Sequence, residues 1–146
     1  MRIDAHQQFW HIANRQGRWP PPALAPIHRD FVPDDLLPEL QRCRIAGTVL
    51  VQSLATMSDT EFMLELAVRH DFILGVVGWI DLKSAGAPVY IAHLAQHPQF
   101  KGLRAMLQDL ADDRWIDDPA LDTAVLCMID HGRSEEHTSE LQSRGL

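Results

Sequence analysis

The chain has 146 residues, 46% of them hydrophobic, and 13 Lys and Arg against 20 Asp and Glu give it a net charge of −7. That length predicts one domain able to bury a core, and an acidic balance without a basic run argues against a nucleic-acid partner. No apolar run reaches the roughly 18 residues of a membrane span, no basic-then-apolar leader opens the sequence, and Cys43 and Cys127 have no C-x-x-C partner, so a cytoplasmic protein with reduced thiols is expected.

The opening Ile3-Asp4-Ala5-His6-Gln7-Gln8-Phe9-Trp10 reads as a short strand over residues 3–6 that runs into a polar end. Alternate residues of a strand share a face, which puts His6 and Gln8 on one side, about 6.6 Å apart. Two imidazoles at that spacing can close on one zinc with bonds of about 2.0–2.1 Å. Position 8, however, is a neutral amide, a poor replacement for imidazole. Residues 14–28 hold Gly17, Pro20, Pro21, Pro22 and Pro26, which predict a long irregular loop. Trp10 and Trp19 either wall a substrate pocket there or pack as a cap.

A helix is expected over 34–44, with Asp34 and Asp35 at its positive end and Leu36, Leu37, Leu40 and Cys43 as its buried stripe. Pro38 is tolerated there as a residue of the first turn, whose N–H groups have no intrahelical acceptor. A strand over 48–52 follows. Ser58-Asp59-Thr60-Glu61 reads as a capping box for a helix carrying Phe62, Met63, Leu66 and Ala67 and ending near His70. Residues 72–80 hold no charged side chain, which fits a parallel strand covered on both faces. Pro88 starts a third helix that Pro98 stops after His97. A fourth strand over 101–104 leads to a helix over 119–130 with Leu121, Ala124, Val125 and Met128 on its buried side. Four β-α units in succession predict a parallel α/β sheet.

Asp4-Ala5-His6-Gln7-Gln8-Phe9-Trp10 resembles the opening D-A-H-Q-H-F-W of the amidohydrolase-related family that includes L-fuconolactonase and other sugar-acid lactonases. Arg29-Asp30-Phe31 with Pro33 and Asp35-Leu36 fits the same family, as do Thr48-Val49-Leu50-Val51-Gln52 and Gly75-Val76-Val77-Gly78-Trp79-Ile80-Asp81-Leu82. Lys101-Gly102-Leu103-Arg104-Ala105-Met106-Leu107-Gln108-Asp109 is a further match, and the resemblance covers residues 1–132. It implies a (β/α)₈ TIM-type barrel, and because such barrels typically take about 250 residues, four units amount to the N-terminal half. The implied activity is hydrolysis, the ring of a sugar lactone or similar cyclic ester being opened by water. A divalent metal, zinc or manganese, serves some members; His6 would be its ligand, with Gln8 at the second ligand position. The resemblance also implies a histidine on a later strand and a catalytic aspartate near the eighth, which no residue after Asp130 is expected to supply.

Chemistry in such barrels sits at the C-terminal ends of strands, which nominates Arg104, Gln52, Trp79 and Asp81 beside Trp10 for a small-molecule substrate. Arg104 suits bidentate binding of a carboxylate or a lactone oxygen, or else a salt bridge to Asp81. Gln52 either binds a substrate hydroxyl or fills the polar end of the barrel. Asp81 can equally cap its own loop, and His6 can pack under one. His11, His28, His70, His93 and His97 read as solvated loop or helix residues.

Arg133-Ser134-Glu135-Glu136-His137-Thr138-Ser139-Glu140-Leu141-Gln142-Ser143 reads as the in-frame translation of a sequencing-library adaptor. Residues 1–132 are therefore expected to be a truncated barrel domain and 133–146 a non-native tail, disordered or irregularly helical. His131, Glu135, Glu136 and His137 match neither H-E-x-x-H nor H-x-x-E-H. On this reading the chain is catalytically inactive and self-associates through open strand edges and an uncovered apolar face. Two other readings are a degenerate, non-catalytic paralogue and a superfamily decarboxylase.

Overall fold

A computed structural model of the chain describes residues 1–107 and 110–136. Five strands, β1 (Ile3–Gln7), β2 (Gly47–Val51), β3 (Ile73–Gly78), β4 (Phe100–Arg104) and β5 (Ser134–Glu136), form one sheet in sequence order. All four pairings are parallel. Helices α1 (Pro33–Cys43), α2 (Met57–Arg69), α3 (Ala87–Leu94) and α4 (Asp122–Asp130) supply the connections that parallel neighbours require. Leu50 of β2, Val76 of β3 and Phe100 and Leu103 of β4 pack with Met63 and Ala67 of α2, Ile91 of α3 and Met128 of α4 in one buried cluster. The sheet therefore rests its helix-facing side on the helices, as a run of βα units must to bury its apolar side chains.

Several local expectations change. The sequence predicts four strands; β5 adds a fifth, with Gly102, Leu103 and Arg104 in register with Ser134, Glu135 and Glu136. An extended segment that reaches the open edge of a parallel sheet finds a row of unpaired N–H and C=O groups to bond. Residues 137–146 of the expected tail, and Gln108 and Asp109 of the family-like stretch, lie outside the described residues. Helix α1 begins on Pro33, with Asp35 accepting the Val32 N–H at 3.0 Å, so Pro38 is inside the helix and not in its first turn. Pro38 is solvent-exposed, where water can donate to the carbonyl it leaves without a donor. Leu40 of the expected stripe is buried and Leu37 is exposed. On α4, Leu121, Ala124 and Met128 are buried but Val125 faces out, because a short 3-10 turn, Pro119–Leu121, changes the phase before the α-helix starts.

The expected capping box at Ser58 is also displaced. Thr56 is the N-cap of α2, its Oγ1 accepting from the Asp59 N–H at 3.2 Å, while the Ser58 hydroxyl donates to the same oxygen. Asp59 is thereby freed to turn inward. One turn on, Thr60 Oγ1 accepts the Trp79 N–H at 2.7 Å and donates to the Trp79 carbonyl at 2.8 Å. This lock needs a glycine at position 78, since a Cβ there would stand 2.5 Å from Thr60 Cγ2.

Candidate active site at the strand ends

A cavity of about 600 Å³ opens at the C-terminal ends of the strands. His6 from the end of β1 and Gln8 just beyond it line one wall, Ser53, Leu54 and Ala55 after β2 a second, and Arg104 and Met106 a third. Arg18 and Trp19, from the loop after β1, complete the enclosure with Leu110. Among the described residues the lining brings together two guanidinium groups and one imidazole with no carboxylate, a setting for an oxygen-rich or anionic small molecule. His6 is exposed, and the Asp4 carboxylate accepts its backbone N–H at 3.1 Å inside β1, where the register against β2 shifts between Asp4 and Gln7. Arg104 is only 7% exposed, and its Nη1 donates to the Gln52 carbonyl at 3.4 Å.

The structure brings His6, Gln8 and Arg104 to one cavity and places the other nominated residues elsewhere. Gln52 is wholly buried behind the wall; its Nε2 donates to the Arg104 carbonyl at 3.4 Å, and its Oε1 has no hydrogen-bond partner among the described residues. Trp10 donates its indole N–H to the Arg29 carbonyl, packs edge-on against Trp19 with centroids 5.2 Å apart, and faces a different cavity of about 330 Å³. Trp79 faces the groove between α2 and α3, turned there by the Thr60 lock. The Asp81 carboxylate accepts the Lys83 N–H of its own turn at 3.1 Å and forms no bridge to Arg104.

Sequence reasoning missed the group that holds these walls. Arg15, in a 3-10 turn (Ile12–Arg15) of the loop after β1, is 2% exposed. Its Nη1 donates to Asp59 Oδ1, its Nη2 to Ser53 Oγ and its Nε to the Trp19 carbonyl, each at 2.9 Å. The other Asp59 oxygen accepts the N–H groups of Ser53 and Leu54, both at 3.2 Å. Burial pushes the Asp59 carboxyl above its ordinary value, against the opposing pull of Arg15 and the two N–H groups. Three cavity-lining residues, Trp19, Ser53 and Leu54, are thus tied to one ion pair. The only signal in the sequence was a loop arginine and an acidic first turn, 44 positions apart.

The described residues at the strand ends do not make a metal centre by themselves. No group of three or more His, Cys, Asp or Glu among them is placed to hold an ion, and His6 is followed at its ligand spacing by an amide.

The amidohydrolase family profile matches residues 3–134. The chain belongs to the amidohydrolase family. It is 56% identical over 130 residues to an L-fucono-1,5-lactonase of Burkholderia ambifaria, a match covering 89% of this chain and 45% of that protein. An L-fucono-1,5-lactonase of Burkholderia multivorans is 36% identical over 121 residues, covering 81% and 40% respectively. A crystal structure of a Burkholderia multivorans amidohydrolase with bound zinc superposes with a TM-score of 0.82 at 30% identity, over 92% of this chain and 48% of that one. A probable 2-pyrone-4,6-dicarboxylic acid hydrolase from Acinetobacter baumannii matches at a TM-score of 0.72 and 13% identity, which speaks to fold alone. This amidohydrolase chain therefore spans somewhat under half the length of the curated relatives it matches, and its parallel sheet with alternating helices is laid out as part of a TIM-type barrel.

Proposed function

We propose that the chain is the N-terminal portion of a hydrolase that opens a sugar lactone, with the strand-end cavity as its part of the substrate site. The observation that carries this reading is the convergence of His6, Gln8, Ser53 and Arg104 on one cavity at the strand ends, where barrel enzymes place their chemistry. Lactone opening adds water to the ring carbonyl, passes through an oxyanion and expels the ring oxygen, leaving a carboxylate and a hydroxyl. Arg104, rigid through burial, suits the charge that develops on the carbonyl oxygen and then on the product. His6 suits a polarising or orienting contact to the same carbonyl. The described residues offer no carboxylate facing the cavity to act as general base on water. Among the described residues of the cavity, zinc or manganese would find a single strong ligand in His6. Residues 133–146 are read as a non-native tail on a domain of residues 1–132.

The test has two arms. The chain alone hydrolyses L-fucono-1,5-lactone no faster than buffer, with or without zinc or manganese, and sediments as a self-associated species because its strand edges are open. Residues 1–132 fused to the remainder of the 56%-identical relative hydrolyse the lactone. In that fusion Arg104→Met lowers kcat/KM about tenfold to a hundredfold, the loss expected of one charge-assisted contact, and Gln8→His raises it. A soluble fusion with no lactonase activity, or one indifferent to Arg104, would reject the reading.

A further inference from the structure

Away from the cavity, the fold brings two metal-ligating side chains into contact. His93 lies in the last turn of α3 and His97 four residues on. The α-helix ends at Leu94, yet the chain keeps turning: the Gln96 N–H donates to the His93 carbonyl at 3.1 Å and the His97 N–H to the Leu94 carbonyl at 3.0 Å. The continued turn brings both side chains to the wall of one groove. Their ring centroids are 6.2 Å apart with the planes at 83°. His11 and His28 engage a ring nitrogen with Asp30 and with the Pro20 carbonyl. Among the described residues, no ring nitrogen of His93 or His97 is so engaged. Both rings face the groove between α2 and α3, about 620 Å³, whose opposite wall carries Glu61 and Glu65.

A metal bound at about 2.0–2.1 Å to an imidazole nitrogen stands roughly 3.2 Å from the ring centre, so two rings on one ion can be at most roughly 6.4 Å apart. The observed separation falls inside that limit; a tetrahedral pair stands roughly 5.2 Å apart, so the exposed His93 ring has to close by about 1 Å on the ion. No third His, Cys, Asp or Glu among the described residues is placed to complete the set, which leaves the other positions to water. Two neutral imidazoles without a carboxylate select the late first-row divalent ions over magnesium or calcium. We propose that His93 and His97 form a two-histidine site for such an ion, binding Cu²⁺ more tightly than Ni²⁺ or Zn²⁺. The site is separate from the strand-end cavity and does not depend on the lactonase reading.

Calorimetric titration of the full chain with CuCl₂ alone, at a pH about one unit above the imidazole value, tests it. One tight ion per chain is expected. His93→Gln or His97→Gln weakens it by more than the roughly tenfold caused by loss of an outer-shell partner, while His6→Gln leaves it within about twofold and circular dichroism is unchanged. Ni²⁺ follows the same dependence at lower affinity. Copper binding that ignores both Gln variants, or that falls only with His6→Gln, overturns the proposal; the second result would leave the cavity reading intact. Should His97→Gln fail to fold, the exposed His93 carries the same test.

Discussion

The knot around Arg15 and the cavity wall around His6 and Arg104 share the same two loops, yet dispose their polar groups on opposite terms. In the knot every guanidinium nitrogen of Arg15 has an acceptor at 2.9 Å, and each Asp59 oxygen is bonded. In and behind the cavity wall the contacts between Gln52 and Arg104 stretch to 3.4 Å, and Gln52 Oε1 has no partner among the described residues. A buried charge satisfied on all sides fixes structure, whereas a wholly buried amide oxygen without a partner among the described residues, as in Gln52, adds no such tie behind the wall.

The comparison breaks most visibly at Asp59. Asp59→Ala strands the Arg15 charge in a dry site and should cost about 3–5 kcal/mol of stability, read as a fall in the denaturant midpoint at unchanged slope. Replacing both partners with apolar residues, Arg15→Met with Asp59→Leu, should recover much of that loss, since the penalty is the unpaired charge. An Asp59→Ala chain that unfolds at the parental midpoint would mean that water reaches the knot and that it does not hold the loops.

A second, smaller perturbation acts on the other fixture of α2. Gly78→Ala inserts a Cβ 2.5 Å from Thr60 Cγ2 and competes with the two hydrogen bonds between Thr60 and Trp79. Overpacking of this kind costs about 1–3 kcal/mol, measurable by thermal unfolding. Thr60→Ser in the same background removes the offending methyl and should restore part of the loss. If Gly78→Ala is neutral, α2 is held by the Arg15 knot alone.

The elements were legible because their determinants are local. Uncharged residues 72–80, the prolines at 33 and 88 and the apolar spacing of Met63 and Ala67 each specify structure within a few residues. The ends of strands could be placed for the same reason, and with them His6 and Arg104. The placement of Trp79 was harder to read, because a residue at a strand end can turn toward the cavity or back over the helices, and for Trp79 that choice rests on Thr60, 19 positions away. Arg15 was invisible on stronger grounds. Nothing nearby distinguishes an arginine of a proline-rich loop from a solvated one until the fold sets Ser53 and Asp59 against it. The fifth strand was missed because Ser134–Glu136 carries no apolar alternation; it pairs through its backbone.

The smallest effect isolates what burial adds to an ion pair. Lys83 and Asp118 meet at 2.6 Å, closer than Arg15 and Asp59, but in partial exposure. The Lys83 hydrogen bond, helped by the Ala120 N–H, holds the Asp118 carboxyl below its ordinary value. A carboxylate lowered on folding adds stability above its unfolded value of 3.8 and loses it as pH falls through the folded one. The melting temperature of the parent should therefore exceed that of Asp118→Asn at pH values above the carboxylate range, with the gap closing on acidification and shrinking in high salt. Exposure leaves both partners hydrated when the other is removed, so the gap should be far smaller than the loss at Asp59. A gap of equal size would show that proximity, not burial, sets the strength of ion pairs in this fold.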